Sequence, residues 1–271
     1  MAFIDLDKFD LSDFVLRERD KNALWSFMHI PKTAGSSFSE SMQALMEPYK
    51  NIEVDYTDNN KTHNEKLSDA VDAFINESAT KRYNSISGHL PFDLIDLIKS
   101  KIENTKVVTF LRDPVSRVIS DYRYQCTPAH PPYAEFIANF PEIEDYIDSI
   151  ESQNKVARFV GGRGVDLHSV NLIKRLDIQF SFVGLLEMYP MSYNIMFNIF
   201  GIPHEFPKLH SRKTPDTVTN KIIINEKIKE RILINNLLDA EIYEHVRCRL
   251  VKHRDTWANY LVNGFPSSWS A

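Results

Sequence analysis

The sequence has few of the residues that would crosslink the chain or carry it through a membrane. It contains only two cysteines, Cys126 and Cys248, so at most one disulfide can form. Neither cysteine lies in a CxxC motif or a Cys/His cluster with zinc spacing, and both are predicted to be free thiols. No run approaches the ~20 apolar residues of a membrane-spanning helix, and the acidic, interrupted segment 1–21 does not resemble a signal peptide. We therefore expect a soluble, cytoplasmic protein without a membrane span.

The sequence also has few glycines, and its acidic residues outnumber its basic ones. With only 8 glycines in 271 residues, a glycine among polar residues is informative. The formal net charge of −5 argues against a nucleic-acid partner, because such proteins usually carry a net basic footprint. Any bound anion must be held by local charges rather than by an overall positive field. The balance of 43% hydrophobic and 25% charged residues is that of a globular chain, and we predict one domain over residues 1–271.

Short apolar segments alternate with helical patterns along the chain. Strands are predicted over residues 23–30, 83–88, 106–111 and 179–185, and amphipathic helical spacing follows each of them. This alternation predicts an α/β fold with a parallel central sheet flanked by helices. Ligands of such sheets bind beyond the carboxyl ends of the strands. The loops 31–37 and 112–120 are both expected at such ends.

The first of these loops belongs to the segment HIPKTAGSS, residues 29–37. The N-terminus of the following helix offers unpaired N–H groups and partial positive charge, which suit a phosphate. Gly35 lets the backbone approach the anion, Lys32 adds a full charge, and Thr33, Ser36 and Ser37 add hydroxyl donors. The kinase-type GxxxxGK[ST] order is absent, because Lys32 precedes the glycine. The alternative is an ordinary capped turn, and phosphate binding is favoured.

The second loop follows the strand-like segment VVTFL and continues as RDP, residues 112–114. Asp113 and Pro114 suit the N-cap and first position of a helix. The forked guanidinium of Arg112 and the hydroxyl of Ser120 suit a terminal phosphate. The motif alone is equally compatible with a surface ion pair between Arg112 and either Asp113 or Asp121.

Together the two motifs resemble those of sulfotransferases that use 3′-phosphoadenosine 5′-phosphosulfate (PAPS), and most closely the carbohydrate branch that includes the heparan sulfate 2-O-sulfotransferases. In that family a PKTAGSS-like loop grips the 5′-phosphosulfate. An arginine and a serine eight residues later, the spacing of Arg112 and Ser120, grip the 3′-phosphate. The resemblance implies a P-loop-like phosphate-binding sulfotransferase fold. The implied donor contacts are Lys32, Thr33, Ala34, Gly35, Ser36, Ser37, Arg112 and Ser120.

Two shorter segments extend the resemblance over residues 25–190. The segment SGHLPF, residues 87–92, is similar to the family's GHxPF element, which implies that His89 is the general base beside the catalytic Lys32. The segment FVGLLE, residues 182–187, is similar to a later VGxxE element, in which we expect Glu187 to be a buried partner for a loop. Arg212 and Lys213 are candidates for a second basic contact over the nucleotide, with a solvated loop as the alternative.

The chemistry expected from these residues needs no metal. The other histidines show no metal-ligand spacing, and no carboxylate cluster suits magnesium. The resemblance implies a hydroxyl-bearing acceptor, such as a glycan or a small molecule. Two alternatives remain open at this point, namely a nucleotide-dependent kinase with an atypical phosphate loop and a non-catalytic nucleotide-binding module.

Overall fold

The computed structural model describes residues 1–55, 60–130, 132–203, 205–207 and 222–269. Its centre is a five-stranded sheet in the order β2-β3-β1-β4-β5, and every neighbouring pair is parallel. The prediction of a parallel central sheet is therefore confirmed. The strands are β1 Leu24–Met28, β2 Tyr49–Ile52, β3 Ser85–Gly88, β4 Thr105–Leu111 and β5 Phe182–Leu185.

The predicted strands form because their side chains are covered on both faces of the sheet. All five residues of β1 and all four of β3 and β5 are buried, as parallel strands between helices require. Strand β2 was not predicted from the sequence. It lies at the edge of the sheet and buries only Ile52, so its polar residues carry no strand-like pattern.

Helices connect the strands and form the layers on either side. Asp113 caps α5 as predicted, because its carboxylate accepts the backbone N–H of Ser116 at 2.8 Å. The helices described are α1 Leu11–Glu18, α2 Gly35–Leu45, α3 His63–Ser78, α4 Phe92–Lys101, α5 Pro114–Gln125, α6 Tyr133–Asn139, α7 Ile143–Asp148, α8 Lys155–Gly161, α9 Ser169–Gln179, α10 Tyr189–Ile199, α11 Glu226–Asn235 and α12 Leu237–Asn263.

The strand order assigns the helices to opposite faces of the sheet. The chain moves from β1 toward one edge through α2, and then moves back across the sheet through α3 and α4. Because parallel crossovers are right-handed, connections that run in opposite directions lie on opposite faces. The packing agrees, since α3 contacts α4, and α4 contacts α8. The sheet is therefore flanked by helices on both faces, as predicted.

The buried apolar side chains form two clusters. The larger contains the sheet with the helices on both faces, and the smaller lies between α5, α6, α7 and α11. Neither cysteine forms a disulfide, and Cys126 lies in the smaller cluster while Cys248 is exposed on α12. Within the described part of the chain, no helix combines the length and the apolar character that crossing a membrane requires.

Phe38 of α2 lies at the centre of the larger cluster, against rings of β1, β4 and α10. Its ring centroid is 4.7 Å from that of Phe27 and 5.0 Å from that of Phe110. We expect Phe38→Ala to lower the free energy of unfolding by about 3–5 kcal/mol, because it leaves a cavity in a packed core. Urea denaturation followed by circular dichroism measures this loss.

Leu45 of the same helix provides the matched control. Leu45 follows Phe38 and Met42 at helical spacing, yet its side chain is 39% exposed because α2 ends at this residue. Leu45→Ala is expected to cost about 1 kcal/mol or less. Equal losses for the two variants would contradict the central position of Phe38.

Candidate active site

Three loops meet at the carboxyl edge of the sheet, after β1, β3 and β4. These strands are neighbours in the order β3-β1-β4, so the segments that follow Met28, Gly88 and Leu111 leave the sheet side by side. The loops hold Lys32, His89 and Arg112, three of the residues predicted from sequence. Their proximity is a consequence of the topology, because parallel strands place all their carboxyl ends at one edge.

The loop after β1 leads directly into α2. Lys32 and Ala34 have backbone φ angles of 68° and 78°, in a region that is costly for residues with a Cβ. Ala34 is the N-cap of α2, and its methyl side chain makes no cap hydrogen bond to the first-turn N–H groups. An anion at this point would receive both these donors and the positive end of the helix.

The other residues of this loop have distinct environments. Gly35 is buried, and a Cβ at this position would overlap the imidazole ring of His29. The hydroxyl of Thr33 is buried and donates to the Ile30 carbonyl at 2.9 Å, so in this arrangement it stabilises the loop. Ser36 is exposed and Ser37 is half-buried. The prediction of anion donors in this loop is compatible with this geometry but is not tested by it.

The ammonium group of Lys32 is held over an aromatic ring. Its Nζ lies 4.1 Å from the ring centroid of Tyr124 on α5, a cation–π contact. Burial lowers the pKa of Lys32, the charge of Arg112 lowers it further, and Asp121 opposes both. The lysine is therefore a partly desolvated cation with no carboxylate within ion-pair distance among the described residues.

Arg112 connects the loop after β4 to the loop after β1. Its Nη1 donates to the backbone carbonyl of Lys32 at 3.3 Å, and its buried Nε has no hydrogen-bond partner among the described residues. Burial lowers the pKa of Arg112, while Glu187 and Asp113 raise it. Within the described chain Arg112 forms no ion pair with Asp113 or Asp121, which was the alternative that the sequence left open. Ser120, its predicted companion, is half-buried on α5.

Glu187 stabilises the loop that contains Arg112 through a hydrogen bond to its backbone. Its Oε1 accepts the backbone N–H of Asp113 at 3.0 Å. The expectation that Glu187 is the partner of a loop is confirmed, although the side chain is exposed rather than buried. It lies in a 3₁₀ turn just after β5, and its negative charge stabilises the guanidinium beside it.

His89 directly follows β3 and is oriented by one hydrogen bond. Its Nδ1 donates to the His29 carbonyl at 2.7 Å. Because a carbonyl can only accept, this bond places the proton of the neutral ring on Nδ1 and leaves Nε2 as the acceptor. Burial lowers the pKa of His89, Lys155 and His63 lower it further, and the His29 carbonyl and Asp121 oppose this. The His89 side chain is exposed to solvent.

The sequence analysis did not predict that Asp121 gathers charged and polar side chains from three helices. The carboxylate of Asp121 on α5 accepts hydrogen bonds through Oδ2 from Lys155 at 2.6 Å, from the Tyr146 hydroxyl at 3.0 Å and from Arg117 at 3.3 Å. The spacing of Arg117 and Asp121 on one helix is a detectable i,i+4 signal. Lys155 and Tyr146 come from other helices, so no local pattern predicts their arrival.

Several residues considered in the sequence analysis do not belong to the three loops. Arg212 and Lys213 lie outside the described residues. His130, in the proline-rich segment of residues 127–134, has a pKa that burial and Lys155 lower and that Asp121 raises. Among the residues that the structure describes, no group of three or more His, Cys, Asp or Glu side chains has the arrangement of a metal site.

Comparison with known proteins identifies the family of this chain and a solved structure to which it is similar. The family model described as "Sulfotransferase family" matches residues 19–245, a span that includes all three loops. Among solved structures, the chain is similar to mouse sulfotransferase SULT7A1 complexed with PAP, at 12% identity and a TM-score of 0.36, over 85% of this chain and 66% of that chain. This chain thus spans slightly less than two thirds of that protein. No curated protein matches.

His29 provides a test of how the site is buried. Burial lowers the pKa of His29 to about 3 from an ordinary value of 6.5, with His89 and Lys32 acting in the same direction. Between these two pH values the unfolded chain binds a proton at His29 that the folded protein excludes, so stability falls as the pH drops. We expect the stability difference between wild type and His29→Gln to narrow as the pH falls below 6.5. Urea denaturation between pH 3 and 6.5 measures the free energies of unfolding of both proteins. A difference between them that does not change with pH would contradict a neutral His29 in the folded protein.

Proposed function

The chain belongs to the sulfotransferase family, and on that premise we propose that it transfers a sulfuryl group from PAPS to a hydroxyl group of a carbohydrate. The observation that carries the proposal is the pair of anion-binding groups at one sheet edge. Lys32 lies beside the N-terminus of α2, whose N-cap residue makes no side-chain cap bond. Arg112 donates to the Lys32 carbonyl, and its buried Nε has no hydrogen-bond partner among the described residues. PAPS carries anionic groups at its 5′ and 3′ positions, which matches two separate groups.

The loop of residues 32–37 would hold the 5′-phosphosulfate. Backbone N–H groups at the start of α2 and the hydroxyls of Ser36 and Ser37 would donate to its oxygens, and Ala34 and Gly35 would bring the backbone close. As the acceptor oxygen attacks sulfur, the bond from sulfur to the bridging oxygen breaks, and negative charge develops on that oxygen. The ammonium of Lys32 would stabilise this charge, which is the main catalytic contribution expected in such transfers.

Arg112 and Ser120 would hold the 3′-phosphate. This group is remote from the reacting sulfur, so its binding energy would fix the donor in position rather than act on the transferring group. Arg212 and Lys213 are proposed to add a second basic contact over the nucleotide. No resident metal is part of the proposed reaction.

His89 would accept the proton of the acceptor hydroxyl at Nε2. A neutral imidazole with its other nitrogen fixed by a hydrogen bond is suited to this role near neutral pH. The lowered pKa of His89 keeps the ring unprotonated there. After transfer, the products would be the sulfated acceptor, adenosine 3′,5′-bisphosphate and a protonated His89.

The acceptor follows from the resemblance to the carbohydrate branch. With a net charge of −5, the protein has no strong overall field for a highly sulfated polymer. We therefore propose a neutral or lightly charged sugar hydroxyl rather than a polyanion. A screen of saccharide acceptors with radiolabelled PAPS is the direct test of the proposed function, and the absence of transfer to every hydroxyl acceptor would favour a non-catalytic binding module.

Donor identity is tested by binding. Adenosine 3′,5′-bisphosphate is expected to bind more tightly than ATP or ADP in isothermal titration calorimetry, because only it presents a 3′-phosphate to Arg112. Arg112→Ala should weaken its binding by at least about tenfold, since a charge-assisted bidentate contact is lost. Tighter, magnesium-dependent binding of ATP would instead support the kinase alternative.

Catalytic roles are tested by separating turnover from binding. Lys32→Ala should lower kcat by on the order of 10²-fold or more, and His89→Ala by on the order of 10²–10⁴-fold. His89→Ala should leave the affinity for adenosine 3′,5′-bisphosphate unchanged. His168→Ala, at an exposed position before α9, is the control and should behave as wild type. Near-normal turnover of either site variant at saturating donor would refute its assigned role.

A further inference from the structure

An aromatic side chain that has no part in the proposed reaction lies against the lysine proposed for catalysis. Tyr124 is in the last turn of α5, and its ring centroid lies 4.1 Å from Nζ of Lys32. Both side chains are half-buried, and a cation–π attraction is stronger where water is partly excluded. No local pattern in the sequence pointed to Tyr124, because the two residues meet only through the pairing of β1 with β4.

The ring of Tyr124 is held in place by the segment that follows α5. Its hydroxyl donates to the Ala129 carbonyl at 3.2 Å, and its ring centroid lies 5.8 Å from that of His130. The same segment is tied to the backbone of Tyr124, because the hydroxyl and the N–H of Thr127 donate to the Tyr124 carbonyl at 2.7 Å and 3.0 Å. A ring restrained at its hydroxyl and by a neighbouring ring keeps one orientation, so it offers the ammonium a fixed place.

The carboxylates near Lys32 do not take the place of this ring. Asp121 is the acid whose charge raises the pKa of Lys32, yet its carboxylate pairs with Lys155 at 2.6 Å and with Arg117 at 3.3 Å. Within the described chain, no acidic side chain forms an ion pair with Lys32. A carboxylate would neutralise the ammonium and occupy its N–H donors. An aromatic face attracts the cation and leaves its charge and donors available to an anion.

Helix α5 also sets the ring in a fixed relation to the proposed 3′-phosphate contact. Tyr124 follows Ser120 by four positions, so the two side chains lie on one flank of the helix, one turn apart. Arg112 lies just before α5 and donates to the Lys32 carbonyl at 3.3 Å. One stretch of chain therefore holds Lys32 twice, its backbone through Arg112 and its ammonium through Tyr124.

We propose that Tyr124 is a positioning residue, whose ring face holds the ammonium of Lys32 in the place from which it acts. Tyr124 works only through Lys32 and not on the substrate. The consequence for turnover rests on the proposed function, in which that ammonium stabilises the leaving oxygen. The contact between ring and ammonium does not rest on it, and it can be measured without any substrate.

Four variants of the full chain separate the ring from the rest of the side chain. Tyr124→Phe keeps the ring and loses the hydrogen bond to Ala129, whereas Tyr124→Leu removes both. Tyr124→Met is a second variant without a ring, in case the branched leucine prevents folding. Tyr133→Leu is the matched control, because Tyr133 is a tyrosine at the start of α6 with 36% of its surface exposed.

The first measurement is a carbon–proton NMR spectrum of protein that carries isotope-labelled lysine, with the Lys32 ε-methylene signal assigned by its loss in Lys32→Ala. A ring current shifts a methylene beside an aromatic face upfield, so this signal should lie apart from those of exposed lysines. The shift should persist in Tyr124→Phe and Tyr133→Leu and disappear in Tyr124→Leu and Tyr124→Met. A wild-type Lys32 signal at the position of exposed lysines would overturn the proposal, whatever the activity.

The second measurement is steady-state sulfuryl transfer. Removal of the ring should lower kcat by about tenfold, the size of one partly desolvated cation–π contact. The donor KM should change by less than about threefold, because the 3′-phosphate contacts remain. Tyr124→Phe should keep kcat near that of the wild type. Fluorine atoms added to the ring of Tyr124→Phe weaken its attraction for a cation at nearly constant shape, and kcat should fall with each one.

The outcomes distinguish the ring from the hydrogen bond and from the proposed function. Equal losses of kcat in Tyr124→Phe and Tyr124→Leu would assign the effect to the bond with Ala129 and overturn the role of the ring. An unchanged kcat in Tyr124→Leu, with the ring-current shift gone, would also overturn the proposal, because the contact would not position the lysine. A wild type that transfers sulfuryl to no acceptor would refute the proposed function, and the NMR comparison would still decide whether the ring holds Lys32.

Discussion

Mutual repulsion among cations is the constraint on which the rest of this site depends. Lys32, Arg112, Arg117 and Lys155 gather near one edge of the sheet in a protein whose net charge is negative. Asp121 lies among them, and although burial pushes its pKa upward, Lys155 and Arg117 hold that pKa below its usual value. Asp121 and Asp239 are within ion-pair distance of Arg117, and Asp121 also pairs with Lys155. These carboxylates allow several positive charges to remain close together, while Lys32 and Arg112 keep no ion-pair partner among the described residues. A site that binds an anionic donor needs this combination of concentrated charge and unpaired donors.

The two anion-binding groups are physically linked. The guanidinium of Arg112 donates to the backbone carbonyl of Lys32, so the residue proposed for the 3′-phosphate also supports the strained turn that presents the lysine proposed for catalysis. Backbone strain of this kind persists only where surrounding contacts hold it. The turn is held by this hydrogen bond and by the bond from the Thr33 hydroxyl to the Ile30 carbonyl. The proposed donor contact and the placement of Lys32 therefore depend on the same few contacts.

A second chain of contacts connects the phosphate loop to the proposed base. Gly35 has no side chain, which leaves room for the His29 ring. That ring stacks on Phe27 and lies 4.2 Å from the ring of His89. The carbonyl of His29 then fixes the orientation and tautomer of His89. Gly35 thus has a structural role besides the proposed approach to phosphate, because the space that it leaves holds His29, whose carbonyl orients His89.

The sequence by itself determined the parallel sheet, the loops at its carboxyl edge and the side chains of Lys32, His89 and Arg112. These are local patterns: apolar runs of strand length, a proline after a cap, and a lysine before a glycine at the start of a helix. Local patterns could not show strand β2, which is too polar and too exposed to differ from a loop. They also could not show that Lys155 and Tyr146, which lie 34 and 25 positions beyond Asp121 in the sequence, bond to its carboxylate. Only the tertiary structure decided those contacts, because they arise from the packing of α5, α7 and α8, and burial gives the resulting charges their influence on the site.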